Sequence, residues 1–398
     1  MKCVKLRLSC QVAAVALLCL LWLGRPAQGA AQSSGGTRVA IGAGSTIVHS
    51  KFGGQIFGFD IDQNGTEGVL SEDKLLDNGD VLAAVETFDQ ASGKILKVVA
   101  ETETQDNFLT LGIAGASVGL VEHEHVQGLF VVKRIYEELN PLDSNKITGA
   151  WTPPLASDDI ILGLSRNQGS PTTAVLAFEN SGSGPTFVFG SNVKANSFEP
   201  AITLSDPVFG IGTGPLVGYD SATNQAVVAA STGAAGGPPP VFALVDLTTG
   251  TVNEFNGLPG PFPVREGFVN GLAVDSEDGI ACTTTELDFR VEFYDLKTET
   301  GISVTLPGAT NQIESGSDVE FDPVHKLFFV AQEVSTTGPG SSIQVYNTKG
   351  ELVESLNGFN FSNTSNVVFT HIALNPRNRS GYVDGPDSGV TEIQSFTY

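Results

Sequence analysis

A unit of four short β-rich runs repeats along most of this chain of 398 residues, and it constrains the fold more than any other feature. Its clearest copy spans residues 270–306 and reads GLAVD, GIACTTT, RVEFYDL and GISVTL between turn residues. The next copy keeps the same order as DVEFD, KLFFVAQE, SIQVYNTKG and ELVESL. Because these runs lack a helical period, the sequence predicts an all-β fold.

The polar residue that ends the first run of each unit marks the repeat. These marker residues are Asp60, Glu122, Ser165, Asp220, Asp275, Asp322 and Asn375. Their average spacing of roughly fifty residues falls in the range of propeller blades with four strands each. The spacing predicts a seven-bladed β-propeller. A six-bladed propeller is the alternative, because the unit marked by Ser165 is the weakest and can be merged with its neighbour.

The predicted blades make residues 30–398 a single β-propeller domain. They cover approximately residues 55–101, 113–152, 158–206, 214–256, 269–308, 317–357 and 370–398. The last unit shows only three clear runs, so we expect residues 37–48 to supply its missing outer strand. This pairing would join the two ends of the chain and leave no unpaired edge in the ring.

The turns of the repeat resemble those of YVTN-type and NHL-type propellers. In these families a strand that ends in Asp leads through a short turn to the next strand, and a later strand ends in an Asp-x-x-Thr-Gly hairpin. Here the second hairpin reads FDQASG, VDLTTG and YDLKTETG. The resemblance covers nearly the whole chain and implies a fold, but it implies no reaction.

The first 29 residues have the pattern of a secretory signal peptide. Lys2, Lys5 and Arg7 precede an apolar run over residues 12–23, which is too short to span a bilayer, and small residues follow it. We therefore expect cleavage near Gly29 and a secreted protein, periplasmic or extracellular. Three of the four cysteines would leave with the signal peptide, so Cys282 alone would remain and no internal disulfide could form.

The formal net charge of −23 limits the classes of partner. Phosphate binding needs a cationic surface, so nucleic acid is excluded as an expected partner, and an anionic membrane surface is disfavoured for the same reason. After the signal peptide no apolar run reaches membrane length, so we expect no membrane insertion. The expected protein is a soluble monomer.

The turn after the first strand is acidic enough to suggest calcium. Asp60, Asp62 and Asn64 have the Asp-x-Asp-x-Asn-Gly spacing that places oxygen ligands around Ca²⁺. The twelfth position of a standard calcium loop would be Ser71, so that motif is broken. An acidic hairpin is the favoured interpretation, with a carboxylate accepting N–H groups of its own turn, and Ca²⁺ binding is the alternative.

Acidic residues recur where the second run of a unit ends. They are Glu72, Glu179, Glu286, Glu333 and Asp384. If the repeat alignment holds, they surround the face on which propellers usually bind ligands, and such a ring would attract cationic groups. The alternative is that each acid ends a strand in water. Arg265 stands out as a charge in a long Gly- and Pro-rich connection on the same face.

Other polar residues are candidates for chemistry. Asp318 and His371 begin innermost strands of adjacent predicted blades and are the best candidates for a site at the central channel. His123 and His125 project to one side of an extended chain and could chelate a transition metal, although a solvated turn is the favoured interpretation. Ser117 lies in a Gly-x-Ser-x-Gly motif, but no helix follows it, so we expect no nucleophile there.

These observations favour a non-catalytic binding protein. We assign no catalytic residue, and we expect a ligand- or protein-binding propeller whose partner is a protein, a carbohydrate or a small molecule. The alternative is a divalent-cation-dependent hydrolase or lactonase-like enzyme with its site at the central channel. The fold alone cannot choose between them, because one propeller supports many functions.

Overall fold

The structure is a computed structural model. It describes residues 41–63, 65–104, 106–114, 118–127, 130–140, 146–156, 159–165, 173–179, 185–205, 216–230, 241–256, 269–285, 290–308, 316–332, 342–359, 371–384 and 392–398. All of them belong to one compact unit, Val39–Tyr398. In the described part of the chain, no helix is long and apolar enough to cross a membrane.

All regular secondary structure within the described ranges is β-strand, and the strands form seven antiparallel sheets, which we number in chain order. The first sheet contains β2 (Gln55–Ile61), β3 (Glu67–Leu75), β4 (Val81–Asp89) and β5 (Ile95–Thr104). The second contains β6 (Asn107–Ala114), β7 (Val118–Gln127), β8 (Phe130–Asn140) and β9 (Lys146–Trp151). The third contains β10 (Ile160–Leu164), β11 (Thr173–Glu179), β12 (Thr186–Asn192), β13 (Ser197–Phe198) and β14 (Ile202–Thr203).

The remaining sheets follow the same order along the chain. The fourth contains β15 (Leu216–Asp220), β16 (Gln225–Ala230), β17 (Val241–Asp246) and β18 (Val252–Asn256). The fifth contains β19 (Val269–Asp275), β20 (Ile280–Thr285), β21 (Arg290–Asp295) and β22 (Thr300–Thr305). The sixth contains β23 (Gly316–Asp322), β24 (Leu327–Gln332), β25 (Ser342–Asn347) and β26 (Leu352–Leu356). The arrangement is a β-propeller, which confirms the predicted fold class.

The seventh sheet joins the two ends of the described chain. It contains β27 (Ile372–Asn375), β28 (Ser380–Asp384), β29 (Glu392–Thr397) and β1 (Gly42–His49), in the order β1-β29-β28-β27. Gly42 pairs with Thr397, and His49 pairs with Glu392. The predicted closure by an N-terminal strand is therefore confirmed, with β1 ending one residue beyond the predicted segment.

Apolar side chains between neighbouring sheets form the core. One cluster contains Val48 of β1, Phe59 of β2, Phe88 of β4 and Ile393 of β29, so it joins the seventh sheet to the first. Another places Trp151 of β9 beside residues of the third sheet. Because strand residues alternate between the two faces, each sheet buries side chains against both of its neighbours.

Two predicted positions in the repeat are wrong. Asp62, not Asp60, occupies the place of Asp220, Asp275 and Asp322 at the end of a first strand, because the Asp62 N–H donates to the Glu67 carbonyl across the turn. Asp60 and Asp62 are two residues apart, so both fit the end of an alternating strand, and the pairing of Asp62 with Glu67 across the turn decides between them.

In the second sheet, Glu122 does not end a first strand. It lies within β7 and faces Leu109 of β6 across the ladder. The first strand of this sheet is β6, which begins at Asn107, earlier than the predicted residue 113. The apolar run over residues 108–121 contains two strands, and the sequence pattern alone did not place the turn between them.

Truncating a core side chain of β1 tests the closure. We expect Val48→Ala to reduce the free energy of unfolding by about 2 kcal/mol, because Val48 is fully buried between two sheets. Ile41, just before β1, is 45% exposed, so Ile41→Ala should change it by less than about 0.5 kcal/mol. Chemical denaturation of both variants makes the measurement. Equal effects would show that β1 does not dock in solution.

Candidate functional site

The candidate site lies at the rim where the first strand of each sheet begins and the second strand ends, which we call the entry rim. Antiparallel pairing brings these two points together, as where Gln55 of β2 pairs with Asp73 of β3. Of the predicted acidic and channel residues that the structure describes, this rim contains Glu72, Glu179, Asp318, His371 and Asp384. Their side chains do not share one environment.

Glu72 is a buried carboxylate that holds the connection into β2. Its Oε1 accepts the Phe52 N–H at 3.0 Å, and its Oε2 accepts the Gly54 N–H at 2.7 Å. A Cβ at Gly54 would lie 2.8 Å from Oε2 of Glu72, so only glycine fits there without displacement. Glu72 therefore has a structural role in addition to its predicted binding role, which stays a prediction.

Glu86 of β4 extends this arrangement, and no sequence pattern pointed to it. It is fully buried, and its Oε2 accepts the Lys51 N–H at 3.0 Å. The pKa of Glu86 is raised to about 8, chiefly because the group is buried and also because the Glu72 carboxylate is close, while the hydrogen bond from the Lys51 N–H lowers it. Two buried acids thus hold successive N–H groups of one connection, and Glu86 binds a proton at neutral pH.

Asp73 links the first sheet to the second. Burial raises its pKa to about 7, although a hydrogen bond from the Phe108 N–H at the start of β6 lowers it. Glu124 of β7 and Glu72 add to the increase through charge repulsion. Asp73 and Glu86 are thus two carboxyl groups with raised pKa values near the start of the first sheet.

A repeated bulge sets the environment of Asp318. Five first strands contain one extra residue near their start, and the residue after it is Gly58, Gly112, Gly163, Gly271 or Asp318. At Gly271 a Cβ would lie 2.5 Å from the Val319 nitrogen of the next sheet, so the neighbouring backbone leaves no space for a side chain. Asp318 is the exception among these five positions.

His371 occupies the equivalent place in the seventh sheet. It lies four residues before Asn375, the last residue of β27, as Asp318 lies four residues before Asp322 and Gly271 before Asp275. Adjacent sheets thus carry two polar side chains at a position that is glycine in four others. The binding role predicted for Asp318 and His371 stays a prediction.

Two buried carboxylates contact His371. Asp318 is buried, and its Oδ2 accepts the Ile372 N–H at 2.9 Å and lies 3.6 Å from His371 Nδ1. Asp384, at the end of β28, is also buried and accepts the His371 N–H at 2.9 Å. The His371 side chain itself is 37% exposed. We call Asp318, His371 and Asp384 the His371 cluster.

The His371 cluster lies where three sheets meet. The Phe59 ring of the first sheet approaches the imidazole edge-on, with ring centroids 6.3 Å apart. Two sides of the imidazole are therefore fixed by Asp318 and Phe59, while part of it faces solvent. This arrangement presents one oriented hydrogen-bonding group that can donate, accept or carry a proton.

The other predicted binding residues are only partly described. Glu179 ends β11 opposite Ile160 in the ladder. Glu286, Glu333 and Arg265 lie outside the described residues. Of the predicted ring of acids, the structure describes Glu72, Glu179 and Asp384. The side chains of Glu72 and Asp384 accept backbone N–H groups.

The predicted calcium turn lies at the opposite rim. Asp60 and Asp62 are both buried, and Asp60 Oδ1 accepts the Ile61 N–H at 2.8 Å. Asn64 lies outside the described residues. Gln90 Nε2 donates to the Asp62 carbonyl at 2.9 Å, and Gln90 Oε1 accepts from Asn375 Nδ2 at 2.8 Å. These contacts dock the turn onto the seventh sheet, and calcium binding stays a prediction.

His123 and His125 do not lie in a solvated turn between the first two strands of their sheet. Both are within β7, and Phe108 of β6 pairs with His123. The favoured interpretation of this segment was wrong, because β6 begins earlier than predicted. Ser117 lies outside the described residues.

Comparison with known proteins shows the fold and no family. No family model matches the sequence, and no curated protein matches it. The fold is similar to a chain in the crystal structure of the mitotic checkpoint complex, with a TM-score of 0.58 and 11% identity over 96% of this chain and 99% of that chain. It is also similar to the U3-55K structure, with a TM-score of 0.57 and 10% identity over 90% and 100% of the two chains.

The Dos1 propeller is a further match, with a TM-score of 0.54 and 11% identity over 88% of this chain and 94% of that chain. At these identities the similarity shows a β-propeller and says nothing of ligands or chemistry. The β-propeller is a fold that commonly acts as a protein-binding module.

The buried acids predict how stability depends on pH. The folded protein holds a proton on Glu86 up to about pH 8, whereas an unfolded Glu loses it near 4.5, so the free energy of unfolding should fall as pH rises between these values. This decline amounts to at most about 1.4 kcal/mol per pH unit, and we expect it to be absent in Glu86→Gln. Gln keeps an acceptor for the Lys51 N–H but carries no titratable charge.

Chemical denaturation at several pH values measures the effect. Glu101 of β5 is exposed, so Glu101→Gln is the matched control and should leave the slope unchanged. The same slope in wild type and Glu86→Gln would contradict the assigned protonation of Glu86.

Proposed function

We propose that this protein is a secreted, non-catalytic β-propeller that binds a partner protein at the entry rim around the His371 cluster. The main observation is the exception at one repeated position. Asp318 and His371 stand in adjacent sheets where Gly58, Gly112 and Gly271 stand in others. A side chain at this position meets the backbone of the neighbouring sheet, so we expect it to have a role that offsets the crowding. Of Asp318 and His371, His371 is the one that is partly exposed.

The chemistry of the cluster supports recognition of a hydrogen-bonding or basic group. Asp318 and Asp384 are buried and accept backbone N–H groups, whereas the imidazole of His371 is partly exposed and is the member of the cluster that a partner can reach. The net charge of −23 favours encounter with a basic partner surface. The partner we propose is a protein segment that carries Lys or Arg.

The fold supports a protein as the partner. A similar chain comes from the mitotic checkpoint complex, so this architecture serves in an assembly of proteins there. The YVTN-like and NHL-like turns of the present chain support membership of a repeat propeller family and remain part of the proposal. A metal-dependent hydrolase at the same place is the competing function, because a histidine beside a carboxylate can also act as an acid or base.

A peptide selection with matched variants tests the binding proposal. Dodecapeptides selected from a random library on the wild-type protein would be titrated against His371→Gln by calorimetry. We expect basic peptides to be selected and to lose about tenfold or more in affinity in this variant, equal to about 1.4 kcal/mol. His325→Gln is the control, because His325 pairs with Asp322 at the opposite rim and is 28% exposed.

The outcomes separate the candidates. Equal peptide affinity in wild type and His371→Gln would overturn the assigned site, and selection of no peptide at all would overturn protein binding. Hydrolysis of lactones or phosphate esters that EDTA and His371→Gln both abolish would replace the proposal with the enzymatic function.

Secretion has its own test. A secreting host that expresses the full chain should release a protein whose first residue is Ala30, because cleavage follows Gly29. Leu17→Arg interrupts the apolar run and should leave the precursor uncleaved inside the cell. N-terminal sequencing makes the comparison. An uncleaved wild-type chain retained in the cell would contradict the proposed signal peptide.

A further inference from the structure

A second polar cluster lies on the second sheet and shares no residue with the His371 cluster. His123 and His125 are two residues apart on β7, so their side chains project from the same face of the strand. Their rings are neighbours, with centroids 4.3 Å apart. A pair of histidines with this spacing is the simplest chelate that a β-strand can offer.

The chain brings a carboxylate to the same point. Asp106 lies immediately before β6, and β6 begins by pairing Asn107 with Glu124 of β7. Asp106 Oδ2 lies 2.8 Å from His125 Nδ1 and 3.6 Å from His123 Nε2. The three potential ligand atoms all lie within 4.8 Å of one another. Ligand atoms around a tetrahedral Zn²⁺ are roughly 3.3 Å apart, so small rotations of these side chains suffice to enclose the ion.

The environment suits an exchangeable metal ion. The side chains of Asp106, His123 and His125 are 15%, 16% and 33% exposed, so they are shielded but open to solvent on one side. The Phe108 ring lies with its centroid 4.3 Å from that of His123 and restricts the imidazole. Three protein ligands also leave a fourth position for water or for a group of a partner.

A hydrogen-bonded His–Asp pair is the simpler explanation, and the chain contains one for comparison. His325 Nδ1 lies 2.7 Å from Asp322 Oδ2, which also accepts the Tyr398 hydroxyl, while Oδ1 accepts the N–H groups of Val324 and His325. That pair caps a turn with a single histidine. The second sheet instead brings two imidazoles to one carboxylate oxygen, and a turn cap does not need the second.

We propose that Asp106, His123 and His125 form a site for a divalent transition-metal ion of the Zn²⁺ class. Neutral imidazole nitrogens and one carboxylate oxygen are the ligands that Zn²⁺, Co²⁺, Ni²⁺ and Cu²⁺ accept, whereas Ca²⁺ needs six or more oxygens. The site is distinct from the predicted calcium turn in position and in ligand type. It is also independent of the function proposed for the His371 cluster.

Metal titration of the full chain without a histidine tag tests the proposal. After dialysis against EDTA, calorimetry with Zn²⁺ should show one site per chain, and Co²⁺ should give the visible absorption bands of a tetrahedral complex. Asp106→Asn and His125→Gln should each lose about tenfold or more in Zn²⁺ affinity, equal to about 1.4 kcal/mol or more. The control His325→Gln removes a histidine of the comparison pair and should bind as the wild type does.

Two further measurements keep the result interpretable. Thermal unfolding without metal should give similar midpoints for the wild type and both site variants, so that lost binding is not lost folding. An excess of Ca²⁺ should leave the Zn²⁺ isotherm unchanged. The proposal is overturned if the wild type binds no Zn²⁺, if Asp106→Asn and His125→Gln bind it as tightly as wild type, or if His325→Gln loses it equally.

Discussion

Pairing of β1 with β29 is the interaction on which the ring depends. It joins residues almost 350 positions apart, with Thr46 donating to Ser395 and Gln394 donating to the Gly44 carbonyl. Without it, β29 would end the seventh sheet as an unpaired edge. Val48 would also leave the core that the first and seventh sheets share. One strand thus completes a sheet, closes the ring and fills a core.

Polar contacts between sheets then fix the ring at both rims. At the entry rim, Asp318 accepts the Ile372 N–H of the next sheet. At the opposite rim, Lys326 lies 2.8 Å from Asp275 of the preceding sheet. Several acidic residues in the described part of the chain are therefore used within the structure, as carboxylates that bind backbone N–H groups or a lysine. This use separates buried acids such as Glu72 from those that give the surface its charge.

Sequence reasoning succeeded where the information is local. The four-strand order and the Asp-ended turns recur with little change, so Asp220, Asp275 and Asp322 were placed correctly. It failed to choose between Asp60 and Asp62 at the end of β2, because both fit the alternation of the strand and only the pairing of Asp62 with Glu67 across the turn decides between them. It also failed to select Glu86 and Asp106, since neither belongs to a recurring pattern and each gains meaning only from a neighbour across a sheet or a connection.

The amino-acid sequence by itself determined the all-β repeat, the order of strands and the return of the chain to its own beginning, because alternation and turn residues act over a few positions. Only the tertiary structure decided which acids are buried, why Asp318 and His371 are exceptions among glycines, and that Asp106 meets His123 and His125. The physical reason is that burial and ligand geometry depend on the approach of neighbouring sheets and connections. Those distances are set by packing between residues far apart in the chain.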